Sequence, residues 1–293
     1  MYLIVSYTML LIVVVYMISL LLYIIGNLIP EANTLKQRLS PVSIIVAVKN
    51  GEKSLPNLLN DLENQNYKEI REFIIVDDQS TDNTKKIIEN FQNKNNKFHY
   101  ISSEQGNKKL SFKKKALDAG IKNANSDILL FTDVDCRLKK DWTSSMTQSF
   151  DKTVDYVIGF SSVPYTNNII SWFQRIDFLM LLTAARAMCN LNSPFASTGQ
   201  NQAYRKSTYD KIGFLELSNS IQGDDTLFLQ LCVKKNMKVV FNTDQKSFVT
   251  SRIEQNLWSF MFGGGNANQL TSQSNSELLK LGPFRIGRIL LAL

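Results

Sequence analysis

Histidine and cysteine are scarce in this chain of 293 residues. His99 is the only histidine, which leaves almost no basis for a zinc site or a serine–histidine triad. The three cysteines (Cys136, Cys189 and Cys232) are odd in number, widely spaced and outside any metal-binding pattern. This usage predicts reduced thiols and argues against a disulfide framework.

Charged residues are absent from Tyr2 to Pro30, where Leu, Ile, Val, Tyr and Met dominate. This run of about 28 residues exceeds the roughly 20 that cross a bilayer. A cleaved signal peptide would need a basic start, a shorter apolar core and a small-residue cleavage site, and none is evident. We therefore expect residues 1–30 to form an uncleaved transmembrane anchor.

Positive charge precedes the anchor only at the amino terminus, whereas Lys36 and Arg38 follow it closely. The positive-inside bias then places the long C-terminal part in the cytoplasm. We expect a single-pass protein of the inner, or cytoplasmic, membrane. Residues 31–40 are polar and are predicted to be a linker.

Internal repeats, low-complexity segments and recognised nucleic-acid modules are also missing, so no nucleic-acid partner is expected. The formal net charge of +7 lies wholly after the anchor. Its densest cluster comprises five lysines: Lys108, Lys109, Lys113, Lys114 and Lys115. Three interpretations stay open for them: a solvated helix face, attraction to anionic lipids, and contact with substrate phosphates.

What the chain does contain is a regular alternation of strand and helix patterns. Apolar runs of strand length occur at 42–48, Glu72–Val76, Tyr100–Ser102 and Ile128–Phe131. Helical spacing of apolar residues separates them, as in Ser54–Asn64 and Lys113–Lys122. This order predicts an α/β fold with a mostly parallel, doubly wound sheet.

Polar and acidic residues follow these strands. Because the carboxyl ends of parallel strands share one edge, we expect the following residues to line it: Asn50, Glu52, Asp77, Asp78, Asp133 and Asp135. Asp133 and Asp135 are spaced i, i+2, so both can face one point beyond their strand. Two hard oxygen donors suit Mg²⁺ or Mn²⁺, although two solvated loop carboxylates would show the same spacing.

The second half is less regular but has three notable segments. Residues Ile169–Asn190 have the pattern of a long helix, and Thr198–Asn201 forms a polar loop. Asp224 and Asp225 precede another helix. They can be a simple helix start, or one can contact substrate while the other is a general base. The triplet 263–265 is all glycine and predicts a turn or gating loop rather than a phosphate loop.

Six motifs in order resemble the family-2 type of inverting glycosyltransferases, which have the GT-A nucleotide-diphospho-sugar transferase fold. The resemblance runs from Pro41 to Asn242. Its first three motifs are a first strand with an Asn-x-Glu turn, an Asp-Asp-x-Ser-x-Asp segment and a Lys-x-x-Ala-Leu helix. The other three are a D-x-D pair, a Gly-x-Asn-x-Ala-x-Arg segment and an acidic pair. In this chain they are 42–52, 73–84, 113–121, 133–135, 199–205 and 223–225.

The resemblance implies a role for each matching residue. Asp225 would be the catalytic base, with Asp224 the alternative. Asp135 would hold the metal, with Asp133 as a second ligand, and Asp133 would lie near the diphosphate or the donor sugar. Substrate contacts are implied for Asn50, Glu52, Asp77, Asp78, Lys115, Gly199 and Asn201. A GT-A catalytic domain is expected at 41–250, with a nucleotide-binding half (41–140) and an acceptor half (141–250).

The remaining residues, 251–293, are expected to form a gating loop and a membrane-proximal segment. The family's membrane-bound polymer synthases carry Gln-x-x-Arg-Trp here, but Gln255–Trp258 has no such arginine. The apolar end, 281–293, can be a membrane-surface helix or the start of a second span.

The expected activity is transfer of one sugar from a UDP- or GDP-linked donor to a lipid-linked or glycan acceptor, in cell-envelope or exopolysaccharide synthesis. A processive polysaccharide synthase with a divergent gate and a catalytically silent nucleotide-binding scaffold are the alternatives.

Overall fold

A computed structural model describes residues 2–30, 40–220 and 223–253. The expected linker at 31–40, except for Ser40, and the glycine triplet and apolar end of the C-terminal segment lie outside the described residues. The helices are α1 (Tyr2–Leu28), α2 (Leu55–Glu63), α3 (Thr84–Lys94), α4 (Phe112–Asn123), α5 (Trp142–Gln148), α6 (Ile169–Asn190), α7 (Lys206–Ile212) and α8 (Thr226–Lys234).

Nine strands complete the described fold. They are β1 (Val42–Val48), β2 (Ile70–Asp77), β3 (Phe98–Ser102), β4 (Ile128–Phe131), β5 (Tyr156–Ile158), β6 (Ser161–Ser162), β7 (Gln202–Arg205), β8 (Val239–Phe241) and β9 (Val249–Thr250). Seven form one sheet in the order β3-β2-β1-β4-β7-β5-β8, and β6 pairs with β9. Only β7 in the large sheet is antiparallel to its neighbours, which confirms the mostly parallel sheet.

Helices cover both faces of the sheet, as expected for a doubly wound fold. On one face, the leucines of α2 pack with Trp142 and Met146 of α5. On the other, Leu117 of α4, Leu182 of α6 and Phe228 of α8 share a second core. Burying each of these large side chains contributes about 1.5–3 kcal/mol to the free energy of unfolding. The packed helices on both faces therefore hold the strand ends in fixed positions.

Helix α1 projects from this body with most of its side chains exposed. By length and composition it is apolar enough to cross a membrane. Its C-terminal end contacts α6: Tyr23 Oη donates to Thr183 Oγ1 at 2.9 Å, and Asn190 Nδ2 donates to the Gly26 carbonyl at 3.0 Å. A Cβ on Gly26 would lie 2.4 Å from the Ala187 carbonyl oxygen, so glycine permits this close helix crossing.

Candidate active site

The carboxyl ends of β1, β2 and β4 meet at one edge of the sheet. In the register of the sheet Val48 pairs with Asp77, and Ile45 pairs with Phe131, the last residue of β4. The turns after these strands therefore lie side by side. This edge carries the polar residues that follow β1, β2 and β4, as the sequence predicts.

Two of these residues tie the turns after β1 and β2 to each other, and a third stabilises its own turn. Asn50 Oδ1 accepts from the Thr81 N–H at 2.8 Å, and Glu52 Oε2 accepts from the Asn83 N–H at 3.1 Å. Asp77 is buried and accepts from the Ser80 N–H at 3.0 Å. Because neighbouring backbone groups already engage Asn50, Glu52 and Asp77, these side chains stabilise the turns rather than offering free groups to a ligand.

Asp78 differs from these three. Its N–H donates to the Val48 carbonyl at 2.7 Å, which fixes its backbone at the strand end. The side chain is half-buried, and no hydrogen-bond or ion-pair partner faces its carboxylate within the described part of the chain. Asp78 is therefore the acidic side chain of this turn that is available to a ligand.

Lys113 joins the strand edge to the acidic pair before α8. Its Nζ lies 2.7 Å from Asp133 Oδ1 and 3.1 Å from Asp224 Oδ2. Burial acts to lower the pKa of Lys113, but Asp133 and Asp224 outweigh it and hold that pKa well above its usual value. Residues about ninety positions apart in sequence thus contact one ammonium group.

The family resemblance implies a substrate contact for Lys115 on this helix, and the structure brings Lys113 of the same helix to the carboxylates. Lys115 lies two residues further along α4, where its backbone carbonyl and Cγ face Gly106. Among the described residues Lys115 makes no ion pair with the acidic cluster. The signal that identifies Lys113 was present, since it is the first lysine of the Lys-x-x-Ala-Leu motif.

Asp135 is half-buried beside Asp133. Burial and, to a smaller extent, the Asp133 charge raise the pKa of Asp135. Two carboxylates with excess negative charge fit a divalent cation. No group of three or more acidic, histidine or cysteine side chains converges on a metal-sized site within the described ranges, so substrate phosphates would have to complete the coordination shell.

Asp225 caps the N-terminus of α8, where its Oδ1 accepts from the Thr226 N–H. Its Oδ2 accepts from the Gly199 N–H at 3.1 Å. Burial and the charge of Asp224 raise the pKa of Asp225. A carboxylate with a raised pKa is a candidate for a general base.

The loop before β7 completes the cluster. Thr226 Oγ1 donates to the Ser197 carbonyl at 3.0 Å, which holds the loop on the start of α8. Asn201 is fully buried: its Oδ1 accepts from Trp142 Nε1 at 3.0 Å, and its Nδ2 donates to the Phe160 and Ser247 carbonyls, each at 2.8 Å. The structure therefore gives Asn201 a supporting position below the site rather than an exposed one.

Gly199 lies against the charged cluster. A Cβ there would lie 3.0 Å from Lys113 Nζ and 3.3 Å from Asp224 Oδ2. We expect Gly199→Ala to displace the Lys113 ammonium, lowering turnover about tenfold while costing less than about 1 kcal/mol of stability. Steady-state rates and thermal melting would test this, and an unchanged rate would show that Lys113 does not need its present position.

Comparison with known proteins finds one family and several individual proteins that match this chain. The family described as Glycosyl transferase family 2 matches residues 43–213, more than half of the chain. The poly-beta-1,6-N-acetyl-D-glucosamine synthase of Staphylococcus epidermidis is 25% identical over 181 residues, which cover 61% of this chain and 42% of that protein. The Staphylococcus aureus (strain COL) protein of that name is 24% identical over 188 residues, or 63% and 44% of the two chains. The chain thus spans less than half the length of these relatives.

Solved structures with the same fold include two proteins in complex with nucleotide sugars. Mannosyltransferase PcManGT from Pyrobaculum calidifontis, in complex with GDP-Man and Mn²⁺, has a TM-score of 0.61 at 17% identity over 83% of this chain and 66% of that chain. TarS 1–349 of S. aureus, in complex with UDP-GlcNAc, has a TM-score of 0.50 at 20% identity over 74% and 59%. These similarities confirm the GT-A type of fold.

Proposed function

Because this chain belongs to glycosyl transferase family 2, we propose that it transfers a sugar from a nucleoside-diphosphate donor to a lipid-linked or glycan acceptor, with inversion at the anomeric carbon. The observation that carries the proposal is the position of Lys113. It joins Asp133, at the strand edge, to Asp224 of the acidic pair before α8. Groups suited to a leaving diphosphate and to an attacking hydroxyl therefore lie on either side of one lysine.

On the acceptor side, Asp225 takes the proton from the attacking hydroxyl. The hydroxyl oxygen forms a bond to the anomeric carbon while the bond to the nucleoside diphosphate breaks on the opposite face, so the configuration inverts. The Gly199 N–H and the Thr226 N–H hold the Asp225 carboxylate in one orientation. The preceding residue, Asp224, contacts Lys113 Nζ. This positive charge limits the repulsion between the carboxylates of Asp224 and Asp225.

On the leaving-group side, Asp133 and Asp135 would hold Mg²⁺ or Mn²⁺. When bound, this ion offsets the negative charge that develops on the departing diphosphate. Lys113 adds a positive charge at the same place and keeps Asp133 in position. Asp78, whose carboxylate has no partner within the described residues, would bind the nucleoside.

The donor is proposed to be UDP- or GDP-linked, a choice supported by the GDP-Man and UDP-GlcNAc complexes of the two structural neighbours. Cell-envelope or exopolysaccharide synthesis is the proposed setting, supported by the staphylococcal synthases among the relatives. Helix α1 would anchor the enzyme in the inner membrane. Lys36 and Arg38 would keep the catalytic body on the cytoplasmic face.

A panel of nucleotide sugars tests the proposal directly. The full chain, purified in detergent, would be incubated with Mn²⁺ and UDP- or GDP-linked sugars in the presence of lipid-linked and oligosaccharide acceptors. Release of the nucleoside diphosphate together with a glycosylated product is the expected result. If no donor is consumed although one binds, the chain is a silent nucleotide-binding scaffold instead.

Metal use has its own test in the variant Asp135→Asn. We expect the Mn²⁺ concentration for half-maximal activity to rise at least tenfold, because one anionic ligand becomes neutral. Glu104→Gln removes an exposed acid elsewhere on the surface and is the matched control. Equal Mn²⁺ dependence of the two variants would exclude Asp135 as a ligand.

Processive synthesis is the second candidate, favoured by the synthases among the relatives. Single transfer and processive synthesis differ in product length at low turnover. With acceptor in large excess, single transfer gives products longer by one sugar, whereas processive synthesis gives long chains beside unused acceptor.

A further inference from the structure

Helix α6 carries a continuous stripe along one side. Its positions alternate in steps of three and four residues, which keeps them on one face of a helix: 169, 172, 176, 179, 183, 186 and 190. The first four are apolar and exposed: Ile169 by 83%, Trp172 by 48%, Ile176 by 50% and Leu179 by 52%. The last three are the polar residues Thr183, Arg186 and Asn190.

The polar end of this stripe is occupied by α1. Asn27 Nδ2 donates to the Thr183 carbonyl at 3.2 Å, and Arg186 Nη1 donates to the Asn27 carbonyl at 3.0 Å. Asn190 also reaches α1, through its bond to the Gly26 carbonyl. The stripe is therefore one surface with a covered half and an exposed half.

A neighbouring face of α6 is fixed in the protein core. Leu182, Ala185 and Cys189 are buried in the core that also holds α4 and α8. Rotation of α6 to hide its exposed apolar side chains would expose these residues instead. The four apolar side chains consequently need a partner outside the described body.

Two features of this face suit a lipid surface. The apolar half starts one helical turn from Thr183, where the membrane helix α1 is held, and extends about 20 Å from there at 1.5 Å per residue. Trp172 packs edge-on against Tyr165, and the Arg175 guanidinium lies over the Tyr165 ring. Aromatic rings and arginine beside an aliphatic stripe are typical of the boundary between lipid headgroups and acyl chains.

We propose that α6 is a membrane-interface helix, with Ile169, Trp172, Ile176 and Leu179 inserted at the headgroup–acyl boundary of the bilayer that α1 spans. The inference rests on the proposed membrane anchoring by α1. It extends that proposal from a single anchor to a surface of the catalytic body. Only eight residues separate the end of α6 from Gly199, so a membrane-bound α6 leads directly into the loop of the candidate active site.

Site-directed fluorescence in lipid vesicles tests this contact. Single cysteines would replace Ile176 and Leu179 in the full chain, and each would carry an environment-sensitive NBD label. The native cysteines are buried. Leu215→Cys is the matched control, because Leu215 is also 50% exposed and lies elsewhere on the body. Val13→Cys, in the middle of α1, reports the anchor itself.

The labelled proteins would be reconstituted in vesicles of phosphatidylcholine and phosphatidylglycerol, with and without a spin-labelled lipid whose quencher lies near the headgroups. The Val13 label would also be measured with a lipid whose quencher lies near the end of its acyl chain, at the bilayer centre. We expect quenching of about half the NBD emission at 176 and 179, with a blue shift, and little quenching at 215. Circular dichroism of each variant checks that the fold is retained, and the two stripe positions guard against a local disturbance at either one.

Three results would overturn the inference. If the labels at 176 and 179 emit at the same wavelength as the label at 215 and are no more quenched, the face is in water. A blue-shifted label without lipid quenching would show that protein covers the face. An unquenched label at Val13 would reject the anchor and, with it, the inference, whereas quenching at Val13 alone would reject only the role of α6. Sugar transfer, measured separately in detergent, is independent of all three.

Discussion

Replacing Asp225 with Asn is expected to lower kcat for sugar transfer by about a thousandfold or more, because a neutral amide cannot take the acceptor proton. Binding of the nucleotide donor should change little, since Asp225 is on the acceptor side of Lys113. Steady-state kinetics with a saturating donor, together with donor titration, separate these two effects. A variant that retains more than a tenth of the activity would contradict the assignment of Asp225 as base.

Asp224→Asn is the matched comparison for this prediction. Asp224 lies next to Asp225 but contacts Lys113 instead of the Gly199 and Thr226 N–H groups. We expect a smaller loss, of about ten- to a hundredfold, from disturbed positioning alone. If Asp224→Asn is the more damaging change, the roles of the two acids are reversed.

The pH dependence follows from the raised pKa of Asp225. The base is active when ionised, so kcat should rise with pH across a pKa above the usual aspartate range. Stability should change in the opposite direction. The folded state binds the Asp225 proton more tightly than the unfolded state, so the free energy of unfolding should fall as pH rises from the usual aspartate pKa through the raised pKa of Asp225. Asp225→Asn removes this cost but loses one accepted hydrogen bond, and its stability near neutral pH should stay within about 1 kcal/mol of wild type.

Lys113→Met should affect both activity and stability. Turnover is expected to fall about a hundredfold, because the variant loses a positive charge beside the departing diphosphate and the link that positions Asp133 and Asp224. The Lys113 side chain is 36% exposed, so water screens these ion pairs, and we expect a loss of about 1–2 kcal/mol rather than the larger cost of breaking a fully buried pair.

Lys115→Met is the control for this variant, since it removes the same charge from the same helix. Chemical denaturation and steady-state rates should leave Lys115→Met close to wild type. The stability of Lys113→Met should partly recover at acidic pH, where protonation reduces repulsion among the remaining carboxylates. Equal behaviour of the two lysine variants would show that the Lys113 contacts have no energetic importance.

The elements that the sequence predicted well are those with a strong period or a sharp change of polarity. The buried runs of β1 and β4 and the helix at Ile169–Asn190 have such patterns, and the structure confirms them. The acidic residues after β2 and β4 could be placed at one sheet edge because parallel strands share that edge. For this reason the strand pattern alone is enough to bring Asp78, Asp133 and Asp135 to the same edge.

Contacts that depend on distant parts of the chain were not predictable in the same way. The antiparallel strand β7 is only four residues long, and its pairing between β4 and β5 depends on long-range contacts. The choice between Lys113 and Lys115 depends on the rotation of α4 relative to Asp224, more than a hundred residues away. The buried position of Asn201 depends on Trp142 and on two carbonyl groups from other segments.

The contact between α1 and α6 determines how the catalytic body can move. A membrane helix joined only by a flexible linker would act as a tether and leave the body free to tumble. Here the close crossing at Gly26 and Ala187, with its surrounding hydrogen bonds, makes α1 a rigid mount. With α1 in the membrane as proposed, rotation of the body would be restricted to the axis normal to the bilayer, and the active site would keep a constant height above the lipid plane. If the acceptor is lipid-linked, as proposed, encounters with it would become a search by lateral diffusion in two dimensions.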